Sequence, residues 1–255
     1  MIRVLFAGDI VGSKGCAFAE KVIRRMRLEN KLDIVIVNGE NSADGNGITA
    51  QSMETLFSFA DVITTGNHCF RRREFMGYYD EKENLLRPAN YPEGVCGHGV
   101  TVLDMGRYSF AVVNLMGTAF MEPLNNPYEC IDRILHDIDT PNILLDFHAE
   151  ATSEKKAMGF YLEGRVSAVI GTHTHVQTAD EMILGGHTGY ITDAGMCGAE
   201  LSVLGVKSEL AIEKQRFKCP VRFTESDMPP FFCGVIMDID EKCGKVTKID
   251  RVQIR

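Results

Sequence analysis

Short apolar runs rich in β-branched residues recur along this chain, and most stop at a polar residue beside a glycine or an asparagine. Ile2 to Ala7, Asp33 to Val37 and Val62 to Thr65 are the first three. Between them, Lys14 to Asn30 repeats apolar side chains at helical spacing (Phe18, Val22, Ile23, Met26), and Thr49 to Phe59 does so again. The short runs predict buried strands and the spaced patterns predict amphipathic helices. Such alternation implies a parallel sheet with crossover helices, which gathers successive strand ends on one edge.

The middle of the chain changes character. Gly99 to Leu103 and Tyr108 to Leu115, parted by Asp104-Met105-Gly106-Arg107, predict a hairpin. A helix is predicted near Tyr128 to Ile138, a strand from Asn142 to Phe147 ending at His148, and a helix from Ser153 to Leu162 with Ser153 or Thr152 near its N-cap. Val166 to Ile170 predicts a strand running into His173-Thr174-His175; strands follow at Gly189 to Thr192, Phe231 to Asp240 and Val246 to Ile254, the last two as a hairpin. Alternation followed by hairpins predicts an α/β fold of two packed sheets with helices on both outer faces. No repeat, low-complexity tract or linker interrupts the chain, so residues 1–255 are expected to form a single domain.

Composition narrows the functional class. The net charge of -8 removes a whole-surface basic footprint for nucleic acid, so a phosphate-bearing substrate would need a local positive centre. Bound metal ions supply such a centre. The eight cysteines lack CxxC spacing, which argues against a structural zinc site. No apolar run approaches the roughly 20 residues that span a bilayer. The run after Met1 is too short for the core of a secretory signal. A cytoplasmic protein with mostly buried thiols and no membrane partner is expected.

The strand ends carry the chemistry. Asp9 sits between Gly8 and Gly12; Glu40 and Asn41 follow the second strand; Asn67 and His68 follow the third; His148 follows the Asn142 run; and His173 and His175 follow the next. Taken singly, several of these are ordinary turns or caps. Together they place carboxylate, amide and imidazole groups at five strand ends, the donors that hard to intermediate metal ions take. If the His173 segment is extended, both of its imidazoles project to the same side. His68 can ligate a metal or transfer a proton. His98, His136 and His187 have no such partners and read as structural. Two divalent ions, less the charges of Asp9, Glu40 and a bridging hydroxide, leave the centre near about plus one, which attracts an anion. Phe70, Tyr78, Tyr79 and Arg71-Arg72-Arg73 follow the His68 turn; a solvated basic helix face is the expected reading, with a pocket wall as the alternative.

Several stretches resemble the metallophosphoesterase (calcineurin-like) superfamily and, within it, the YmdB-type bacterial phosphodiesterases. They are Gly8-Asp9-Ile10-Val11-Gly12, Asn38-Gly39-Glu40-Asn41, Gly66-Asn67-His68, the segment from Phe147 to Lys155, the segment from Gly171 to Asp180, and Thr192 to Gly198. The usual Asp-x-His of the first strand is here Asp9-Ile10-Val11, and Glu40 replaces the usual bridging Asp; both departures are features of the YmdB-type subgroup. Cys69 after His68 is not expected in that pattern. The resemblance implies a four-layer αββα sandwich. It implies one metal on Asp9, Glu40, Asn41 and His175, and a second on Glu40, Asn67, His148 and His173. His68 would be the general acid while a bridging hydroxide attacks phosphorus.

The implied activity is hydrolysis of phosphodiesters, cyclic nucleotides of the 2′,3′ or 3′,5′ kind among them. Iron or manganese is the expected metal, with zinc and cobalt left open by the donor set. A homo-oligomer is expected, and RNA stays open as a substrate or regulatory target. The runner-up is a metal-dependent nucleotide-binding regulatory protein with little turnover. Amidohydrolases also use a His-x-His pair, but there it comes from the first barrel strand, and no eightfold strand-helix repeat is present here.

Overall fold

The computed structural model describes residues 1–255. Two β-sheets stack face to face. The seven-stranded sheet runs β2 (Asp9–Ile10), β11 (Met196–Ala199), β12 (Pro230–Ile239), β1 (Ile2–Ala7), β3 (Ile34–Asn38) and β4 (Val62–Thr64), with β13 (Val246–Ile254) also paired to β12. The six-stranded sheet runs β5 (Val100–Asp104), β6 (Ser109–Met116), β7 (Ile143–His148), β8 (Ala168–Thr172), β10 (Thr188–Ile191) and β9 (Met182–Leu184). In the first, β1, β3 and β4 are parallel, and in the second β6, β7, β8 and β10 are parallel. Antiparallel hairpins, β5–β6 and β12–β13, complete two mixed sheets.

The period-two alternation of strand side chains builds the layers. Val4 and Phe6 of β1 and Ile34 and Ile36 of β3 meet Phe110, Leu144 and Ile170 of the other sheet. The intervening Leu5, Val35 and Val37 face helices α1 (Gly12–Glu29) and α2 (Ala50–Phe57). On the far side, Val113, Leu145 and Phe147 pack with Ile131 of α4 (Pro127–Asp137) and Met158 of α5 (Thr152–Tyr161). Strands buried on both faces are apolar at most positions, which is why they read as nearly continuous runs. The result is an αββα sandwich, as expected.

Two local expectations are corrected, and one helix was not expected. Arg71, Arg72 and Arg73 form no helix face: the chain turns there into a single 3-10 turn at Arg73–Phe75 and the four-residue α3 (Tyr78–Glu81). Helix α5 is capped at Ala151 with no side-chain cap bond, so neither Thr152 nor Ser153 caps it. Helix α6 (Ser208–Phe217) lies outside every predicted element; it buries only Ala211 and carries no apolar stripe to read. No helix is long and apolar enough to cross a membrane. All eight cysteines are free thiols, five of them buried.

Candidate metal centre

Parallel connection brings the C-terminal ends of β1, β3, β4, β7 and β8 to one edge, and each delivers a polar side chain there. Asp9 begins β2 beside the end of β1, Glu40 and Asn41 follow β3, and Asn67 and His68 follow β4. His148 is the last residue of β7, and His173 and His175 follow β8. Asp9, Glu40, Asn41 and His148 are all buried. Glycine permits the crowding: a Cβ at Gly66 would lie 2.2 Å from His148 Cδ2 and 2.5 Å from Glu40 Oε2. At Gly8 it would lie 2.0 Å from the Gly195 carbonyl oxygen.

The seven predicted ligand residues come together in two groups that share Glu40. In the first, Asn41 Nδ2 lies 3.1 Å from Glu40 Oε1 and 3.2 Å from His175 Nε2, and His175 Nε2 lies 3.6 Å from Asp9 Oδ1. In the second, His148 Nε2 lies 3.2 Å from Glu40 Oε1, 3.0 Å from Asn67 Oδ1 and 3.1 Å from His173 Nδ1. Ligand atoms of Glu40, His148 and His173 all fall within 4.8 Å of one another.

The histidine pair arrives differently from expectation. His173 and His175 lie beyond the end of β8 with φ of 102° and 63°, so the segment is not extended. The two imidazoles therefore diverge, one into each group.

Each of these three imidazoles has its remaining nitrogen held from behind. The Thr172 hydroxyl donates to Asp146 Oδ1 at 2.6 Å, so its oxygen is left to accept from His148 Nδ1 at 2.9 Å. His173 Nε2 lies 3.0 Å from Glu150 Oε2, and His175 Nδ1 lies 3.3 Å from the Leu204 carbonyl. Fixing the outer nitrogen aims the inner one at the centre, where a bound metal would take the place of its proton. Asp146 also accepts from Thr64 Oγ1 at 2.5 Å and Asn38 Nδ2 at 3.1 Å. Burial pushes its carboxyl up to about 6 against those donors.

These features fit metal ions. Asp9 Oδ1 is buried with no hydrogen-bond partner, an oxygen that protein groups leave unsatisfied. Glu40 and Asp9 are 1% and 0% exposed, and no lysine or arginine neutralises either. Burial would raise both carboxyls, but the charges of His148 and His175 hold them below the ordinary range. The oxygen and nitrogen donor set suits iron, manganese, zinc or cobalt rather than calcium or magnesium.

His68 borders the first group. It is 25% exposed, and its Nδ1 lies 2.8 Å from Asn41 Oδ1 and 3.5 Å from Glu40 Oε1. Burial lowers its pKa and Arg71 adds to that, while Glu40 opposes. Cys69, buried next to it, packs with the first helix-side core and takes no part.

Four supporting residues escape a sequence reading centred on strand ends. Asp146 and Thr172 lie inside strands, where alternation with apolar neighbours gives no hint of function. Lys155 and Asp193 form a fully buried ion pair at 2.8 Å, and Asp193 Oδ2 also accepts from Thr174 N at 3.0 Å and Thr174 Oγ1 at 2.8 Å. A lysine facing inward on a helix was the available signal.

Comparison with known proteins follows the same lines. The profile of the family described as "YmdB-like protein" matches residues 5–252. A Bacillus subtilis (strain 168) protein named 2′,3′-cyclic-nucleotide 2′-phosphodiesterase is 44% identical, over 99% of this chain and 97% of its own length. A crystal structure of a hypothetical protein from Thermus thermophilus superposes with a TM-score of 0.94 at 36% identity, covering 99% of this chain and 98% of that one. The crystal structure of a phosphatase from Mycoplasma pneumoniae gives 0.94 at 31% identity, over 99% and 93%. A putative 5′-nucleotidase from Staphylococcus aureus shares the fold at 14% identity and a TM-score of 0.54, with 54% of its chain covered.

Proposed function

The chain belongs to the YmdB-like protein family, and from that membership we propose that it is a metal-dependent phosphodiesterase acting on small phosphodiesters, cyclic nucleotides above all. The observation that carries this reading is the convergence of seven ligand-type side chains into two groups around one buried carboxylate, with His68 beside them. Asp9, Glu40, Asn41 and His175 would hold one ion, and Glu40, Asn67, His148 and His173 the other. Iron or manganese is the expected pair. Such ions, when bound, polarise phosphoryl oxygens and acidify water.

The protein's own contribution is positioning. Glu40, held by the backbone N–H of His68 at 3.1 Å, ties the β3 and β4 ends to a single point. The Asn41 amide fixes the His68 ring through Nδ1. His68 Nδ1–H donates to Asn41 Oδ1, and in the imidazolium form the ring carries its second proton on Nε2. A histidine in that state can protonate a leaving alkoxide as general acid. Burial lowers its pKa, which makes the imidazolium a stronger acid and leaves a neutral ring after proton transfer.

The test is metal analysis of protein purified without chelator, with hydrolysis of 2′,3′- and 3′,5′-cyclic nucleotides and bis(p-nitrophenyl) phosphate. His68→Ala should keep its metal while hydrolysis falls by about 10²–10⁴. Normal turnover by that variant removes the general-acid role. Full metal with no turnover of any diester by the wild type overturns the enzymatic reading and favours a nucleotide-binding regulator.

A further inference from the structure

Beside the cluster lies a cavity of about 610 Å³ that opens onto Asn67 and His173. A phosphodiester group fills only a small part of such a space, whereas small-molecule ligands occupy pockets of roughly 300–1,000 Å³. Phe70, Arg71 and Tyr91 form one wall, and the loop carrying Phe120 and Glu122 forms the other.

The rings on the two walls differ in one respect. Phe70 is engaged edge-on by Tyr91 at 5.2 Å and by Tyr79 at 5.5 Å, so its position is set by the core. Phe120 pairs with no aromatic ring and is 92% exposed, more than any other large apolar side chain of this protein. Its backbone is also left-handed, at φ 62°, a conformation that bulky residues rarely adopt. The loop does not drift into this shape. Glu154 on α5 accepts from Thr118 N at 2.8 Å and Ala119 N at 3.4 Å, which pins the two residues before Phe120. An aromatic face is thus held out at the rim of a cavity that ends at two proposed metal ligands. Arg71, which lines the cavity together with Glu122, makes no ion pair, so its charge is free to meet an anionic ligand.

We infer that this cavity is the nucleobase subsite, with Phe120 stacking on the base while the phosphate lies at Asn67 and His173. Phe120 is then a specificity-determining residue: it separates nucleotides from phosphodiesters that carry no base. Every base has a π-face, so stacking favours bases in general rather than one of them. The inference rests on the phosphodiesterase reading above and assigns the part of the substrate that the metal cluster does not touch.

The experiment uses the metal-loaded full chain and two substrates, adenosine 2′,3′-cyclic monophosphate and the base-free methyl riboside 2′,3′-cyclic phosphate. The wild type should prefer the adenosine substrate at least about tenfold in kcat/KM. Phe120→Ala should raise KM for it about tenfold with kcat within about twofold, leave the base-free substrate unchanged, and be rescued by Phe120→Tyr. Calorimetric titration with adenosine 3′-monophosphate, whose affinity should weaken about tenfold in Phe120→Ala, reads binding without turnover. Equal efficiency on both substrates by the wild type, or unchanged KM and affinity in Phe120→Ala, overturns the base subsite and leaves the phosphodiesterase reading standing. Failure of the wild type to cleave either substrate overturns that reading instead, and the calorimetric comparison then decides the subsite.

Discussion

Asp193→Asn removes one charge from the molecule's interior without changing side-chain size. Asp193 is fully buried and Lys155 is 1% exposed. The ammonium has no hydrogen-bond partner but Asp193, whose Oδ2 it meets at 2.8 Å. Removing one member of a buried pair leaves an uncompensated charge and costs about 3–5 kcal/mol. For a chain of this size about 1 kcal/mol moves Tm by roughly 2–4 °C, so a fall of about 6–20 °C is expected. A second effect is local. The same oxygen anchors Thr174, between two histidines at φ 102° and 63°. Left-handed backbone costs about 1–2 kcal/mol per residue, so the loop relaxes once its anchor weakens, and both imidazoles leave the centre. Calorimetry of chelator-treated protein measures the first effect, and metal content per chain in untreated protein measures the second. The double variant Lys155→Met with Asp193→Asn separates them: it should regain part of the lost Tm, having no unpaired charge, yet still bind metal poorly. An Asp193→Asn protein that melts within about 3 °C of the wild type would refute the buried-charge reasoning. Full metal content in both variants would refute the anchoring role.

Two further outcomes follow from the geometry. Gly66→Ala forces a Cβ to 2.2 Å from His148 Cδ2, where nothing can move aside; it should lose metal and about 1–3 kcal/mol of stability. Gly77→Ala, with no atom within 4 Å of the added Cβ, is the control, and equal metal content in the two variants would count against the crowding at Gly66. Asp180 accepts from Thr178 Oγ1 at 2.6 Å and Thr192 N at 3.1 Å and pairs with Lys156 at 3.1 Å. Against the opposing effect of burial, these donors bring its carboxyl down to about 2. The unfolded chain takes up the proton first, near pH 4, so the stabilisation is complete above that pH and lost as pH falls towards 2. Partial exposure reduces the contribution to about 1 kcal/mol. Urea titrations of wild type and Asp180→Asn should differ by that amount at pH 6 and converge near pH 2; a gap constant with pH would show that the carboxylate charge is irrelevant.

Much of the architecture was legible along the chain because strands buried on both faces are apolar at most positions. Ile34 to Val37 is apolar throughout, since alternate side chains enter two different cores. The parallel connections then make a strand end a place where polar groups collect, so Asp9, Glu40, Asn67 and His148 could be picked out before any contact was known. Helix α6 was not legible, because an element that buries one alanine imposes no period.

What the amino-acid order determined by itself is therefore the layering and the inventory of donors, both products of local periodicity and chemical type. Tertiary structure decided the rest. That His173 and His175 separate into different groups depends on two left-handed residues and a carboxylate eighteen positions beyond the second of them. That Arg71 lines a cavity rather than a helix face depends on a turn that meets the loop after β6, where Phe120 lies, at one cavity. Spacing in sequence carries no information on such meetings, because they are fixed by the packing of residues far apart along the chain.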